Sequence, residues 1–124
     1  MALMPRIEKF EDLEAWKEAR VLTCEIYRIT ALGRLSSDYG VKDQLQRAAV
    51  SVMSNIAEGF EGRTDPDKIR YLTIARGSCS EVRSLLYVCF DSKYIDENTF
   101  AEICSRCVVT GKLISGLIRA LRAS

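Results

Sequence analysis

The sequence predicts an all-α protein, an antiparallel up-down-up-down four-helix bundle. Three observations point there. Apolar side chains recur at spacings of three and four along four separate stretches, the period of one buried helix face. No stretch alternates apolar and polar residues as a half-buried strand does. Only two prolines, Pro5 and Pro66, interrupt the 124 residues, which leaves room for long helices. Four such helices with short links form a bundle most simply. The length fits one domain spanning 1–124. With 48% apolar and 28% charged residues, the chain buries a core and is not disordered.

The first helix is expected over residues 10–32. Ala15, Ala19, Leu22, Ile26 and Ile29 form its stripe, and Phe10, Leu13 and Trp16 widen the stripe at its start. Glu11, Asp12 and Glu14 suit the positive end of the macrodipole, and Gly33 is the expected stop. Leu35–Gly40 reads as a short connection in which Ser37 and Asp38 are both candidate caps.

The second helix is expected from about Val41 to Glu58, with Val41, Leu45, Ala48, Ala49, Val52 and Ile56 inward. Gly59 and Gly62 bracket its end. Thr64 opens the third helix as its cap, with Asp67 three residues on and Pro66 in the first turn, where proline is tolerated. Its stripe runs Ile69, Leu72, Ala75, Cys79, Val82, Leu86 and Cys89, and it ends near Ser92. Asp96 caps the fourth helix. Phe100, Ile103, Cys107, Ile114, Leu117 and Leu121 follow, with Thr110 in the one polar slot. Arg119 and Arg122 lie near its C-terminus, where cations are favoured.

Composition then limits function. Histidine is absent, which removes Ser-His and Cys-His nucleophile pairs, imidazole bases and histidine-containing zinc or di-iron sites. Lys and Arg number 18 against 17 Asp and Glu, without the basic excess of a dedicated duplex binder. Residues 1–40 carry six basic and seven acidic groups and residues 63–95 six and four, so neither region is a charged arm. Five cysteines, an odd count, with no signal peptide in MALMPRIEKF, point to reduced thiols and a cytoplasmic protein. No membrane span is expected.

The second helix holds the most informative pattern. Gln44, Arg47, Ser51, Asn55 and Glu58 follow at 3, 4, 4 and 3, and so share one face. Such a row is either a solvated face or a polar seam, inside the bundle or between subunits. Glu81 on the third helix, with Arg76 and Arg83 near it, is the expected partner. Small residues at Ala48-Ala49, Gly77-Ser78, Gly111 and Gly116 point to close backbone approach, within the chain or between copies. Cys104 and Cys107 read as small core residues, because no second ligand pair accompanies them and they lie well inside a helix. Glu-Gly-Phe-Glu-Gly-Arg at 58–63 follows a helix, not a strand, and fails as a phosphate loop. No catalytic residue, cofactor site or metal site is expected. Arg63, Arg70, Arg76 and Arg83 are candidate nucleic-acid contacts, with Tyr71 and Tyr87 available for stacking.

Several strings occur together. They are Phe10-x-x-Leu13-x-x-Trp16; Tyr39-Gly40-Val41 followed by Gln44-Leu45-x-Arg47-Ala48-Ala49-Val50-Ser51; Ser54-Asn55-Ile56-Ala57-Glu58-Gly59; and Ala75-x-Gly77-Ser78-x-x-Glu81. In this order they resemble the 23S rRNA-intervening-sequence proteins, with retroelement accessory variability proteins as more distant look-alikes. The resemblance implies a bacterial four-helix bundle assembled as a ring of five, with no established enzymatic activity. It places Arg47, Ser51, Asn55, Glu58 and Glu81 at motif positions. The retroelement relatives are strongly basic and contact nucleic acid and a reverse transcriptase, whereas this chain has a net charge of only +1. The function expected is that of a non-enzymatic, homo-oligomeric scaffold or binding module, a pentamer, with itself as first partner. RNA, single-stranded nucleic acid or a nucleic-acid-processing protein is the alternative partner.

Overall fold

The computed structural model describes residues 7–124, and Pro5 and the start of the MALMPRIEKF segment lie outside them. Four helices make up the fold: α1 (Glu14–Thr30), α2 (Tyr39–Glu61), α3 (Asp65–Asp91) and α4 (Glu97–Ala123). No strand occurs among the described residues, and none of these helices is long and apolar enough to cross a membrane.

Neighbouring helices run in opposite directions. Between α2 and α3, Ser51 meets Ser78 while Gly59, further along α2, meets Leu72, further back on α3. Between α3 and α4, Arg76 meets Ser115 while Asp65 meets Ser124. Thr23 reaches Ala49 and Thr30 reaches Gln46, which gives α1 and α2 the same relation.

Side chains seal three helix starts, each accepting from a backbone N–H left unbonded in the first turn. Asp38 accepts from Val41, Thr64 from Asp67 and Asp96 from Thr99. Of the two candidate caps before α2, it is therefore Asp38 that serves.

The core has two layers along the bundle. One contains Leu22, Ile26, Leu45, Val82, Leu86 and Ile103. The other contains Ala19, Val52, Ile56, Leu72, Ile114 and Ile118. Most expected stripe positions are buried. On α4, however, Ile118 is buried while Leu117 and Leu121 are half-buried. Thr110 is fully enclosed and donates to the Arg106 carbonyl at 2.7 Å, which satisfies its hydroxyl without a partner helix.

Three expected boundaries shift. Residues 10–12 form a short 3-10 turn, and extended backbone at Leu13 separates it from α1. Beyond Thr30, Gly33–Ser37 is a second 3-10 turn, and Leu35, at the start of the expected connection, is buried in the core. Helix α2 continues past Gly59 to Glu61. Gly59 is an interior position where a Cβ would stand 3.0 Å from Leu72 Cγ and 3.3 Å from the Lys68 carbonyl oxygen. Its glycine permits the close crossing of α2 and α3 rather than ending the helix.

Candidate functional site

The polar row lies on the outer side of the α2–α3 seam. Gln44, Arg47 and Glu58 are exposed, and Ser51 and Asn55 are half-buried. The seam is closed at its centre by hydroxyls. Ser51 Oγ and Ser78 Oγ are 2.8 Å apart, with Ser78 buried. Asn55 Nδ2 donates to the Ser51 carbonyl at 2.9 Å and to Ser51 Oγ at 3.0 Å. These bonds fix the side chains of Ser51, Asn55 and Ser78 as one unit.

The charges of the row behave differently from the expectation of a paired seam. Among the described residues, ion pairs join Lys17 to Glu14, Arg28 to Glu25, Arg70 to Asp67, and Arg106 to Glu18. The first three are local pairs on single helices, and the fourth joins α4 to α1. None involves Arg47, Glu58 or Glu81. Exposed long side chains gain little from pairing in water, so neutral hydroxyls and an amide hold the seam within one chain.

A shallow groove covers the outer face of α2. It has a volume of about 570 Å³ and is lined by Tyr27 from α1 and by Asp43, Gln46, Arg47, Val50 and Ser51. Tyr27 and Val50 are exposed apolar groups at this groove, and Ile74 and Val88 on α3 are exposed as well. None of these four lies on the core stripes that period-3.6 patterning finds, and only Val50 falls within a motif string.

The small residues divide. Ala48, Ala49 and Ser78 are buried in the bundle. A Cβ placed on Gly77 or Gly111 meets nothing within 4 Å, and one on Gly116 meets only the end of Arg119 at 3.8 Å. Among the described residues these three glycines therefore do not serve close approach, and Gly59 does.

The four candidate arginines do not form one patch. Arg63 is exposed in the turn between α2 and α3. Arg70 pairs with Asp67 at 3.9 Å and lies over the Tyr71 ring at 4.4 Å. Arg76 and Arg83 line a separate groove between α3 and α4, together with Lys112 and Ser115, neither of which belongs to a motif or stripe in the sequence. Tyr87 packs edge-on against Phe100 with ring centres 4.9 Å apart.

All five cysteines are free thiols. Burial pushes the Cys79 and Cys107 thiols up to about 12 and, with help from the Asp38 charge, the Cys89 thiol to about 11. Burial also raises the half-buried Cys104 thiol. A redox or nucleophilic cysteine needs the opposite shift, so Cys104 and Cys107 act as packing groups here. No cluster of three potential metal ligands occurs among the described residues.

Comparison with known proteins agrees with this architecture. No curated protein matches the chain. A solved structure from Bacteroides thetaiotaomicron, described as a protein with unknown function from the S23 ribosomal protein family, is similar in fold. It has a TM-score of 0.79 and 20% sequence identity, covering 85% of this chain and 95% of that one. The model of the family described as 23S rRNA-intervening sequence protein matches residues 11–116. With that match extending over most of all four helices, the chain belongs to the 23S rRNA-intervening sequence protein family.

Proposed function

We propose that the protein is a non-enzymatic, cytoplasmic binding module that works as a homo-oligomer, a ring of five copies. Its subunits meet across the outer face of α2 and α3. The observation that carries this reading is the composition of that face. Val50 on α2 and Ile74 and Val88 on α3 are exposed, each with more than two fifths of its surface open to solvent. The same two helices carry Arg47, Glu58 and Glu81, exposed charges of both signs that find no partner within 4.0 Å among the described residues. Apolar groups rimmed by unpaired opposite charges match a subunit interface, where the apolar centre drives association and the charges set register. Gly77, open and exposed beside this face, leaves room for a neighbouring backbone.

Substitution tests it. Ile74→Glu places a charge at the centre of the contact, on a side chain already exposed in the subunit, and is expected to leave the helical content intact. Sedimentation velocity is expected to show the variant reduced to monomers while the parent protein sediments as an oligomer. Identical sedimentation of the two proteins contradicts the proposed face.

Nucleic-acid binding through Arg63, Arg70, Arg76 and Arg83 is the second reading. It draws support from Arg76 and Arg83 sharing a groove. Arg70 and Arg83 lie about 140° apart around α3, and the Tyr71 and Tyr87 rings are engaged by Arg70 and Phe100. A single strand would therefore have to wrap the helix to use all four arginines. Affinity for single-stranded RNA that falls steeply with salt is its expected signature, and salt-indifferent retention contradicts it.

A further inference from the structure

The groove between α3 and α4 has the chemistry of an anion site. Arg76, Ser80 and Arg83 come from α3 at i, i+4 and i+7, and Lys112 and Ser115 face them from α4. The groove has a volume of about 200 Å³ and is lined by three cations and no carboxylate. None of the three has an acidic partner within 4.0 Å among the described residues, in contrast to Lys17, Arg28, Arg70 and Arg106. Holding three like charges around one recess is unfavourable unless a counter-charge enters it.

The site is also shaped. Arg76 is half-buried and donates from Nη1 to Ser115 Oγ at 3.4 Å, which pins its guanidinium across the groove. Gly111 lines the middle and has open space where a Cβ would stand. Cys79 and Cys107 form an uncharged thiol floor, and the Arg83 charge is close enough to oppose the upward shift of the Cys107 thiol. Arg76 and Arg83 are separated by about 10 Å along the helix, longer than one tetrahedral oxyanion spans and suited to linked phosphates.

We propose that this groove binds the linked phosphates of a small phosphorylated ligand, a di- or triphosphate. The guanidiniums of Arg76 and Arg83 take the two ends in forked hydrogen bonds, and the Lys112 ammonium sits over the bridge. The proposal does not depend on the assembly of the subunits.

Titration calorimetry of the full chain with inorganic triphosphate at low ionic strength tests it. Saturable binding is expected in the range of about 0.01–1 mM, with single orthophosphate at least about tenfold weaker. Arg83→Gln and Lys112→Gln, both at exposed positions, are each expected to weaken triphosphate binding by about tenfold. The Arg63→Gln/Arg70→Gln double variant is expected to bind as the parent does. Absence of triphosphate binding overturns the proposal. Equal losses in the Arg63/Arg70 variant overturn it too, since they mark diffuse attraction. Binding of a single-stranded oligonucleotide without any binding of triphosphate also overturns it, in favour of a strand-binding surface.

Discussion

Ser51 Oγ of α2 and Ser78 Oγ of α3 share a hydrogen bond of 2.8 Å at the centre of the seam that carries the polar row. Asn55 donates to the same Ser51 oxygen, so one hydroxyl organises three side chains. Ser51→Ala and Ser78→Ala are each expected to lower stability by about 1 kcal/mol in urea unfolding. The double variant should lose less than the sum, because both single changes break the same bond. Full additivity would mean the bond contributes nothing on its own.

Glycine positions separate the inside of the bundle from its surface. Gly59→Ala puts a methyl 3.0 Å from Leu72 Cγ and beside the Lys68 carbonyl oxygen. The clash is expected to outweigh a helix-propensity gain of about 1 kcal/mol and to lower the melting temperature. Gly77→Ala meets nothing within 4 Å among the described residues, so unfolding of the isolated subunit should become harder by up to about 1 kcal/mol. If copies meet at Gly77, the same change weakens assembly at high protein concentration.

Lys93 follows α3 with φ of 62°, the left-handed conformation that ends many helices, and Tyr94 N–H bonds back to the Cys89 carbonyl at 2.8 Å. A side chain at this φ is unfavourable by about 1 kcal/mol relative to glycine. Lys93→Gly is therefore expected to raise the melting temperature by a few degrees, less the entropy that glycine adds to the unfolded chain. A fall would show that this entropy, or a contact made by Lys93, outweighs the backbone strain.

Stability should decline in alkali. In the folded chain the Cys79 and Cys107 thiols are pushed to about 12, and Cys89 to about 11, above the ordinary thiol value of 9.0. Between those values the unfolded chain loses protons that the folded chain keeps. The stability linked to these thiols is thus intact below pH about 9 and is lost as pH rises toward 12. Tyr94, raised chiefly by its hydrogen bond to Asp38, works in the same direction above its ordinary value of 10.0. Urea midpoints measured from pH 7 to 11 check the sign, and Cys79→Ala should flatten the slope. In the folded protein exposed Cys24 should alkylate well before Cys79, Cys89 and Cys107.

Much of this architecture was legible in the residues. Thr64 and Asp96 announced the starts of α3 and α4 because a capping side chain acts within three residues. The stripes of α2 and α3 located the core because burial follows helical period. What escaped depends on tertiary packing. Gly59 looks like a helix stop until Leu72 is seen against it, and Leu35 looks like a linker until the core closes over it. Within the candidate site, the spacing found the face shared by Ser51 and Asn55. It could not find Ser78 as their partner, nor show that Arg47, Glu58 and Glu81 stay unpaired among the described residues. Lys112 and Ser115 were missed because a groove between two helices leaves no mark in the period of either one.

Self-assembly is tested most directly by the absolute mass of the native particle. Native mass spectrometry of the full chain at micromolar concentration should give about five times the 14.0 kDa subunit mass. A particle of 14.0 kDa under those conditions would contradict the account.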